Sequence, residues 1–357
     1  MCASATPIDV LIVGQGLAGS ILAWHLLQAG QRVLVIDDHW RQSASAVAAG
    51  LVNPVRGKRL LLAEEINQCL PYAHQFYRQL EQQCKRQLFV DMDMLRLFKD
   101  EQQQQYFAQR RQDPVYQSYF KAFDRQHRYA SQLDMPHGAT WQQGTGYLLT
   151  TGLLDGMAEQ LEQQHSLQRQ AFDYNEVQLR DGKVQWRHYQ AQHCVFCEGY
   201  QAISNPWFDW LPWQPAKGDI LTIESEQASV EHIINRGNWL IPIGANRYKT
   251  GATHDWNLDS TQPNPAAQQQ LLQSCKALFI QPPDCKVVNH ETGVRPATRD
   301  KQPFIGFHPQ HQQLLMFNGF GAHGSLMMPF YASQLSRVLQ NEGSLPKSVD
   351  VQRYYPS

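Results

Sequence analysis

The first 40 residues show a change in hydrophobic periodicity that predicts a strand, a helix and a second strand. Residues 8–14 form a short apolar run that ends in glycine, and residues 17–29 repeat apolar positions with helical spacing. Residues 32–36 form a second apolar run. This order of elements is typical of a βαβ unit in a parallel sheet.

Helical patterns follow in three further places. Residues 61–86 have a helical pattern but contain Pro71, so we expect a break or a kink there. The glutamine-rich stretch 101–112 predicts a solvated helix, with a low-complexity interaction tract as the alternative. Residues 147–165 predict a strand end followed by an amphipathic helix. The apolar face of that helix comprises Leu153, Leu154, Met157 and Leu161.

The middle of the chain changes to patterns typical of strands. Residues 177–186 alternate around the turn pair Asp181–Gly182, which predicts a β-hairpin. Three later apolar runs favour a mostly antiparallel sheet, and they cover residues 220–223, 239–243 and 248–252.

The end of the chain returns to the pattern of its beginning. Residues 314–317 predict a buried strand, and residues 326–339 predict a helix that opens close to Gly324. An α/β pattern at both ends, with β-rich material between them, predicts the α/β fold class with two interleaved domains that share a broad interface. Ligands often bind at such interfaces.

Composition narrows the class of protein. The chain has 357 residues, of which 42% are hydrophobic and 18% are charged, so it can bury a large core. The net charge of -1 argues against nucleic acid as a partner. No run approaches the ~20 apolar residues of a transmembrane helix, and no signal peptide is visible. We therefore expect a cytoplasmic protein.

The seven cysteines are odd in number and scattered, which argues against a disulfide framework. Cys194 and Cys197 form a CxxC pair, but in a strand-like run positions three apart point to opposite faces. We expect inert buried thiols, with a redox motif as the alternative. The histidines lack carboxylate or thiolate partners at ligand spacing, so no metal site is expected.

The first glycine-rich turn has the spacing of a dinucleotide fingerprint. Gly14 permits a tight turn out of the strand, Gly16 lets the backbone approach a pyrophosphate, and Gly19 lets the helix pack closely on the sheet. The helix then begins at Leu17 and Ala18, and its free N–H groups would face the diphosphate.

An acidic residue ends the second strand of the predicted βαβ unit. Asp37 follows the apolar run directly, and a carboxylate there can accept hydrogen bonds from both ribose hydroxyls. Asp38 is the alternative. The fingerprint predicts a bound dinucleotide but does not by itself separate FAD from NAD.

Three further segments resemble the D-amino-acid-oxidase-like superfamily of FAD-dependent oxidoreductases, which includes glycine oxidase and sarcosine oxidase. The first is SASAVAAGLVNP at residues 43–54, and the second is GVRPATRDKQPFIG at residues 293–306. The third is FNGFGAHG at residues 317–324. The resemblance implies a Rossmann-like FAD-binding domain with an inserted, mainly antiparallel β substrate domain that carries helices.

The resemblance and the pattern together predict where each domain lies along the chain. We expect the FAD-binding domain to comprise residues 1–85, 146–212 and 291–357. We expect the substrate domain to comprise residues 86–145 and 213–290.

The resemblance also implies noncovalently bound FAD and the residues that contact it. The predicted cofactor residues are Gly14, Gly16, Leu17, Ala18, Gly19, Asp37, Asp38, Ala48, Ala49, Gly50, Gly199, Arg295, Gly321, Ala322, His323 and Gly324. In the family, an arginine that matches Arg295 pairs with the carboxylate of an amino acid, using its two-pronged donor geometry. A purely structural arginine is the alternative.

Two positions depart from glycine oxidase. Ala322 stands where that enzyme has an arginine, and Trp239 stands where it has a tyrosine, so oxidation of glycine or sarcosine is in doubt. His323 is expected near the flavin, where it could steer a proton or a substrate group, or make only a structural hydrogen bond. We take Arg295, His323 and Trp239 as the candidate catalytic residues.

The resemblance implies oxidation of the C–N bond of a small amine or amino acid, with hydride transfer to flavin N5. The electrons would pass on to O₂ or to a quinone or protein acceptor. Two alternatives stay open. One is an oxidase that acts on a modified tRNA wobble uridine, and the other is a flavoprotein without turnover of its own.

Overall fold

The computed structural model describes residues 6–38, 40–63 and 65–355. Within these ranges the α-helices are α1 Leu17–Gln28, α2 Ala44–Val47, α3 Ile66–Cys84, α4 Glu101–Arg110, α5 Tyr129–Gln132, α6 Thr150–Gln163, α7 Pro265–Lys276 and α8 Gly324–Leu339. The strands of the first half are β1 Thr6–Val13, β2 Val33–Ile36, β3 Leu51–Val52, β4 Val55–Arg56, β5 Leu61–Leu62, β6 Phe89–Asp91, β7 Met94–Leu97, β8 Phe120–Ala122, β9 Ala139–Gln142, β10 Gly146–Leu148 and β11 Leu167–Gln168. Those of the second half are β12 Val177–Arg180, β13 Lys183–Trp186, β14 Tyr189–Phe196, β15 Ala216–Glu224, β16 Ile233–Arg236, β17 Asn238–Gly244, β18 Arg247–Gly251, β19 Lys286–Arg295, β20 Phe304–Phe307 and β21 Leu314–Asn318.

The first large sheet has a parallel centre. Strand β1 pairs in parallel with β2 on one side and with β14 on the other. Strand β21 extends the parallel part beside β14, and β11 extends it beside β2. The predicted strand, helix and second strand at the beginning of the chain, and the predicted strand near its end, are therefore confirmed.

Helices α1, α3, α6 and α8 cover one face of this sheet. Helix α1 is buried from Leu17 to Leu26, which is why apolar residues occur all round it rather than along one stripe. The Tyr77 hydroxyl donates a hydrogen bond to the Ser325 carbonyl at 2.6 Å and so ties α3 to the first turn of α8. The N-terminal end of α8 is thereby anchored to α3.

Helix α3 corrects the expectation of a break at Pro71. The helix runs without interruption from Ile66 to Cys84, so it begins five residues later than expected, and Leu61–Leu62 form β5 instead. Pro71 is its sixth residue, beyond the four unpaired N–H groups of the helix start, and its missing N–H costs one hydrogen bond without ending the helix. Burial of Phe76 and Tyr77 on the following turns holds the helix in place.

The second large sheet has the strand order β19-β15-β18-β17-β16-β7-β9-β8. All its pairs are antiparallel except β16 with β7, so the mostly antiparallel sheet predicted from the sequence is confirmed. Helices α5 and α7 pack against it through a separate apolar cluster. The predicted boundary between the domains, after residue 290, falls inside strand β19.

The other predicted elements agree with the structure. Strands β12 and β13 form the hairpin, and both Asp181 and Gly182 have positive φ, as a type I′ turn requires. Helix α4 is mostly exposed, and α6 buries all four predicted apolar residues.

Cys194 and Cys197 are both buried free thiols, and burial raises the pKa of each well above its usual value. A thiol held protonated in this way is a poor nucleophile, in agreement with the prediction of inert thiols. Within the described residues, no helix combines the length and the apolar character needed to cross a bilayer.

Candidate active site

The fingerprint glycines lie where side chains would collide with the backbone. Gly14 has φ +101°, and a Cβ there would lie 2.6 Å from the carbonyl oxygen of Cys197. A Cβ at Gly19 would overlap the carbonyl oxygen of Gly14. The close approach of α1 to β1 therefore depends on both residues being glycine.

The N-terminus of α1 is open to an anion. Gly16 occupies the N-cap position and provides no side-chain cap. The Leu17 N–H donates to the Ser45 hydroxyl at 3.0 Å, so the loop after β2 contacts the fingerprint directly. The N–H groups of the first turn and the helix dipole together fit the diphosphate of a dinucleotide. The sequence analysis identified the segment 43–54 but did not predict this contact of Ser45.

The carboxylate of Asp37 is fixed beside the fingerprint. One oxygen accepts the Gln15 N–H at 2.7 Å, and the other accepts the Trp40 N–H at 2.7 Å. A carboxylate accepts hydrogen bonds from hydroxyl groups, which is the chemistry that a ribose requires. Asp38 is exposed and lines a shallow depression with Asp155. Of the two acids, Asp37 has the geometry expected of the ribose ligand.

A cavity of about 470 Å³ lies between one face of the second large sheet and the loops and helix ends that adjoin the first sheet. Residues of the segments 44–51 and 321–326 form one side, and one face of the second sheet forms the other. The predicted site residues that line it are Leu17, Ala48, Ala49, Gly50, Trp239, Arg295, Gly321, Ala322, His323 and Gly324. The structure therefore brings together segments that are far apart in the sequence.

The other predicted residues lie outside the cavity lining. Gly14, Gly16, Ala18, Gly19, Asp37 and Asp38 belong to the fingerprint region described above. Gly199 follows β14, and its carbonyl accepts a hydrogen bond from the Asn318 side chain at 2.9 Å. Within the described residues, that contact places Gly199 at the end of β21 rather than at the cavity.

The glycine-rich loop before α8 brings backbone close to the cavity. Gly321 has φ +54°, and a Cβ at Gly324 would lie 2.6 Å from the Cε of Met328. Helix α8 begins at Gly324 without a side-chain cap. Its positive end therefore faces the cavity, where it would stabilise negative charge on a planar ring system such as a reduced flavin.

His323 is the residue that precedes α8. Burial, with smaller contributions from Arg56 and Lys301, lowers the pKa of His323 to about 3. The imidazole is therefore neutral at physiological pH and can donate or accept a hydrogen bond without a charge. It does not add to the positive charge of the cavity.

Arg295 is the last residue of β19, and its side chain crosses the neighbouring strand. The guanidinium lies directly over Gly218, where a Cβ would collide with it. Nη1 donates to the carbonyl of Thr253 at 3.2 Å. Burial lowers the pKa of Arg295, and the nearby charge of Asp219 acts in the opposite direction. Despite this lowering of its pKa, Arg295 stays protonated, and it lines the cavity.

Asp219 organises the surroundings of Arg295. One carboxylate oxygen is 2.8 Å from Nε2 of His290 and accepts the Asn264 N–H at 3.0 Å. The other accepts the hydroxyl of Thr253 at 3.1 Å. Since the Thr253 carbonyl is the acceptor for Arg295, this buried network fixes where the guanidinium stands. Sequence reasoning did not find Asp219.

A row of side chains crosses the second sheet beneath the cavity. Arg96 on β7 lies opposite Asn235, and Asn235 lies opposite Trp239. Trp239 lies opposite Gly251, and its indole occupies the space that a Cβ at Gly251 would fill. Arg96, Asn235 and Trp239 all line the cavity.

Sequence reasoning identified Trp239 but missed Arg96. The signal available was a charged residue within the apolar run 94–98. Such a residue in a buried strand needs a polar partner or a ligand.

Comparison with known proteins agrees with this architecture. A family model described as FAD dependent oxidoreductase (DAO) matches residues 9–337. Glycine oxidase of Bacillus subtilis is 25% identical over 132 residues, which is 36% of this chain and 35% of that protein. A tRNA 5-methylaminomethyl-2-thiouridine biosynthesis bifunctional protein of Marinobacter nauticus is 23% identical over 94% of this chain. The match covers 56% of that protein, so these alignments span about a third to just over half the length of the relatives.

Among solved structures, iminodiacetate oxidase from Chelativorans sp. BNC1 superposes with a TM-score of 0.80. It covers 98% of this chain and 99% of that one, at 21% sequence identity. The likeness shows a shared fold over almost the whole length of both chains.

Proposed function

Because the chain belongs to the family of FAD dependent oxidoreductases, we propose that it oxidises the C–N bond of a small amine or amino acid. The observation that carries the proposal is the placement of Arg295 and Trp239 in one cavity with the glycine-rich loop before α8. Two of the similar proteins are named for the oxidation of amino compounds, glycine and iminodiacetate. A nucleotide fingerprint, a cavity of about 470 Å³ and an arginine that lines this cavity support the same reaction class.

Each part of the cofactor has residues that fit it. Gly14, Gly16 and Gly19, with the helix start at Leu17 and Ala18, would hold the diphosphate. Asp37 would accept the ribose hydroxyls. The ring would lie against the two loops that line the cavity, at residues 48–50 and 321–324. When bound, FAD supplies the acceptor for a hydride from the carbon next to the amine nitrogen.

The chain's own residues bind and orient the substrate. The Arg295 guanidinium would pair with the substrate carboxylate through two parallel hydrogen bonds. Trp239 would provide an apolar wall that excludes water from the reacting carbon. His323 is neutral and would accept or donate one hydrogen bond to the amine, which must itself be unprotonated to react. Catalysis then comes chiefly from positioning.

The test is anaerobic absorbance of the purified protein near ~450 nm, where oxidised flavin absorbs, against a panel of amino acids and N-alkyl amino acids. We expect at least one member of the panel to bleach the flavin band. A flavin-containing protein that no amine reduces would overturn the proposal and favour a flavoprotein without turnover. Oxygen consumption in the same samples separates O₂ from a quinone or protein acceptor.

The second candidate is oxidation of a modified tRNA wobble uridine. The match to the tRNA-modifying protein over 94% of the chain favours it, and the net charge of -1 counts against it. Transfer RNA bearing the carboxymethylaminomethyl group would then bleach the flavin where free amino acids do not. Its binding would weaken steeply with salt.

A further inference from the structure

The charged residues around the cavity are all of one sign. Among the described residues that line it, five are cationic and none is aspartate or glutamate. The five are Arg56, Lys58, Arg96, Lys99 and Arg295. One carboxylate of an amino acid needs only Arg295, so Arg96 is a further buried cation that the proposed substrate class does not require.

Arg96 is the most informative of these cations because its surroundings are neutral. The side chain is 5% exposed. Nε donates to the Gln142 side-chain oxygen at 3.0 Å, and Nη2 donates to the Val55 carbonyl at 3.1 Å. Within the described part of the chain, Arg96 has no carboxylate partner and Nη1 has no hydrogen bond.

A buried cation without a counter-charge is unfavourable. Burial lowers the pKa of Arg96 to about 10, so the group still carries its charge at neutral pH. Gln142 is itself fixed by a hydrogen bond from its amide to the Asn53 side chain and another to the Val55 carbonyl. The protein thus holds the guanidinium rigidly and leaves its charge uncompensated, as expected of a site whose anion comes with a ligand.

The strand order separates Arg96 from Arg295. Four strand spacings lie between Arg96 and Ile220, through Asn235, Trp239 and Gly251. At about 4.8 Å per spacing, the two ends of this row lie roughly 19 Å apart. The Arg295 guanidinium stands near the Ile220 end, over Gly218. Nε of Arg96 donates to Gln142 on β9, which lies on the side of β7 away from Arg295, so the Arg96 side chain does not shorten this separation. The two guanidinium groups are therefore roughly 19 Å apart.

We propose that Arg96 binds a second anionic group of the substrate. The substrate is then an amino acid whose N-substituent or side chain ends in a carboxylate or phosphate. Since roughly 4 Å separates each guanidinium carbon from the anion that it binds, the two anions would lie on the order of 10 Å apart. Lys99 and Lys58 lie at the exposed edge of the same cavity, and Lys58 pairs with Asp100 at 3.1 Å. They attract the anion, whereas Arg96 fixes it. This inference rests on the proposed function.

The first experiment compares matched pairs of N-substituted glycines in anaerobic flavin reduction. Each pair has the same chain length, from one to seven methylene groups, and ends either in a carboxylate or in a methyl group. We expect the carboxylate-ended compound to be preferred by about 10- to 100-fold in kcat/KM at the best chain length, the range of a charge-assisted hydrogen bond. Phosphonate-ended compounds of the same lengths separate phosphate from carboxylate.

Two variants test whether Arg96 is responsible. Arg96→Gln is expected to abolish the preference for the carboxylate-ended compound. Gln142→Glu is expected to do the same, because it provides Arg96 with a carboxylate from within the protein. Because Gln142→Glu keeps the buried cation, this variant can replace Arg96→Gln in the test if the Arg96→Gln protein does not fold. Arg125→Gln, at an exposed position outside the cavity lining, is the matched control and is expected to retain the preference.

Binding of thioether analogues separates failure of this inference from failure of the proposed function. These compounds carry sulfur in place of the amine nitrogen and are read from the flavin absorbance shift. Equal reduction by both members of every pair would overturn the role of Arg96 and leave amine oxidation standing. The anion site can be tested even if no amine reduces the flavin. It would be supported if the two-acid thioether binds more tightly than the one-acid thioether and if Gln142→Glu abolishes this difference. Equal binding of the one-acid and two-acid thioethers would overturn it.

Discussion

The fingerprint region and the cavity face of the second sheet are built in opposite ways. The fingerprint lies in 24 consecutive residues, from Gly14 to Asp37, and works through backbone N–H groups that glycine leaves accessible. The cavity face works through side chains drawn from β7, β16, β17 and β19, which span residues 94–295. A cofactor shared by many proteins is held by backbone, whereas a particular substrate is selected by side chains.

The same contrast predicts different responses to substitution. A change in the fingerprint should remove the cofactor as a whole. A change on the cavity face should alter how well one substrate is used and leave the flavin in place.

Gly19→Ala should have the largest effect, because its methyl group would overlap the Gly14 carbonyl oxygen. We expect loss of bound flavin, measured as the ratio of absorbance near ~450 nm to absorbance at ~280 nm in the purified protein. Gly152→Ala is the matched control, since a Cβ there meets its nearest neighbour at an ordinary 3.5 Å. A Gly19→Ala protein with full flavin content would remove the basis for the fingerprint assignment.

Arg295→Gln should retain flavin and lose substrate affinity. Loss of a charge-assisted pair with a carboxylate is expected to raise KM by about 10- to 100-fold. Steady-state kinetics with the best amino acid of the panel measure this change. Arg299→Gln, four residues further on and exposed, should behave as the unaltered protein. Unchanged KM in Arg295→Gln would exclude this arginine from the substrate site.

Asp219→Asn should have a smaller effect of the same kind, because Asp219 acts on Arg295 through Thr253. We expect KM to rise by about 3- to 10-fold with little change in kcat, since the positioning of the guanidinium is loosened. Exposed Asp259→Asn is the control. Equal changes in kcat and KM, or a fall in Tm alone, would point to a structural role.

The smallest expected effect is on the pH dependence of stability and involves His25. This residue lies outside both sites and is buried in α1. Burial lowers the pKa of His25 to about 4, whereas the unfolded chain keeps a value near ~6.5. Between these two pH values the unfolded state binds more protons, so stability falls as the pH falls through this window.

The matching variant is His25→Phe, since the His25 ring already stacks on Phe76 with centroids 5.3 Å apart. We expect the decrease in Tm between pH 8 and pH 5 to shrink by roughly 2–4 °C relative to the unaltered protein. Thermal unfolding at the two pH values measures it. An identical decrease in both proteins would mean that His25 does not cause the acid sensitivity.

How much of the molecule could be predicted from the sequence follows the same division. The fingerprint could be predicted from the sequence because it is defined by the local spacing of its glycines. The hairpin at Asp181–Gly182 could be predicted because its turn type requires residues that adopt positive φ. Of the break or kink expected at Pro71, the break was wrong, because the helix bears the loss of one hydrogen bond where Phe76 and Tyr77 are buried on the following turns.

The side chains of the cavity face were only partly predictable. Arg295 and Trp239 came from resemblance to a family. Arg96 and Asp219 acquire their roles only through strand register, which places Arg96 opposite Asn235 and Asp219 opposite Thr292. Register depends on contacts between residues more than 70 positions apart, and no local pattern contains that information. The cytoplasmic location and the electron acceptor stay predictions.

The most direct test of the account is a crystal structure with FAD and a carboxylate-bearing thioether analogue bound together. The account predicts the diphosphate at the N-terminus of α1, the ring against residues 48–50 and 321–324, and the analogue carboxylate on the Arg295 guanidinium. A flavin ring outside this cavity, or an analogue carboxylate held by residues other than Arg295, would contradict it.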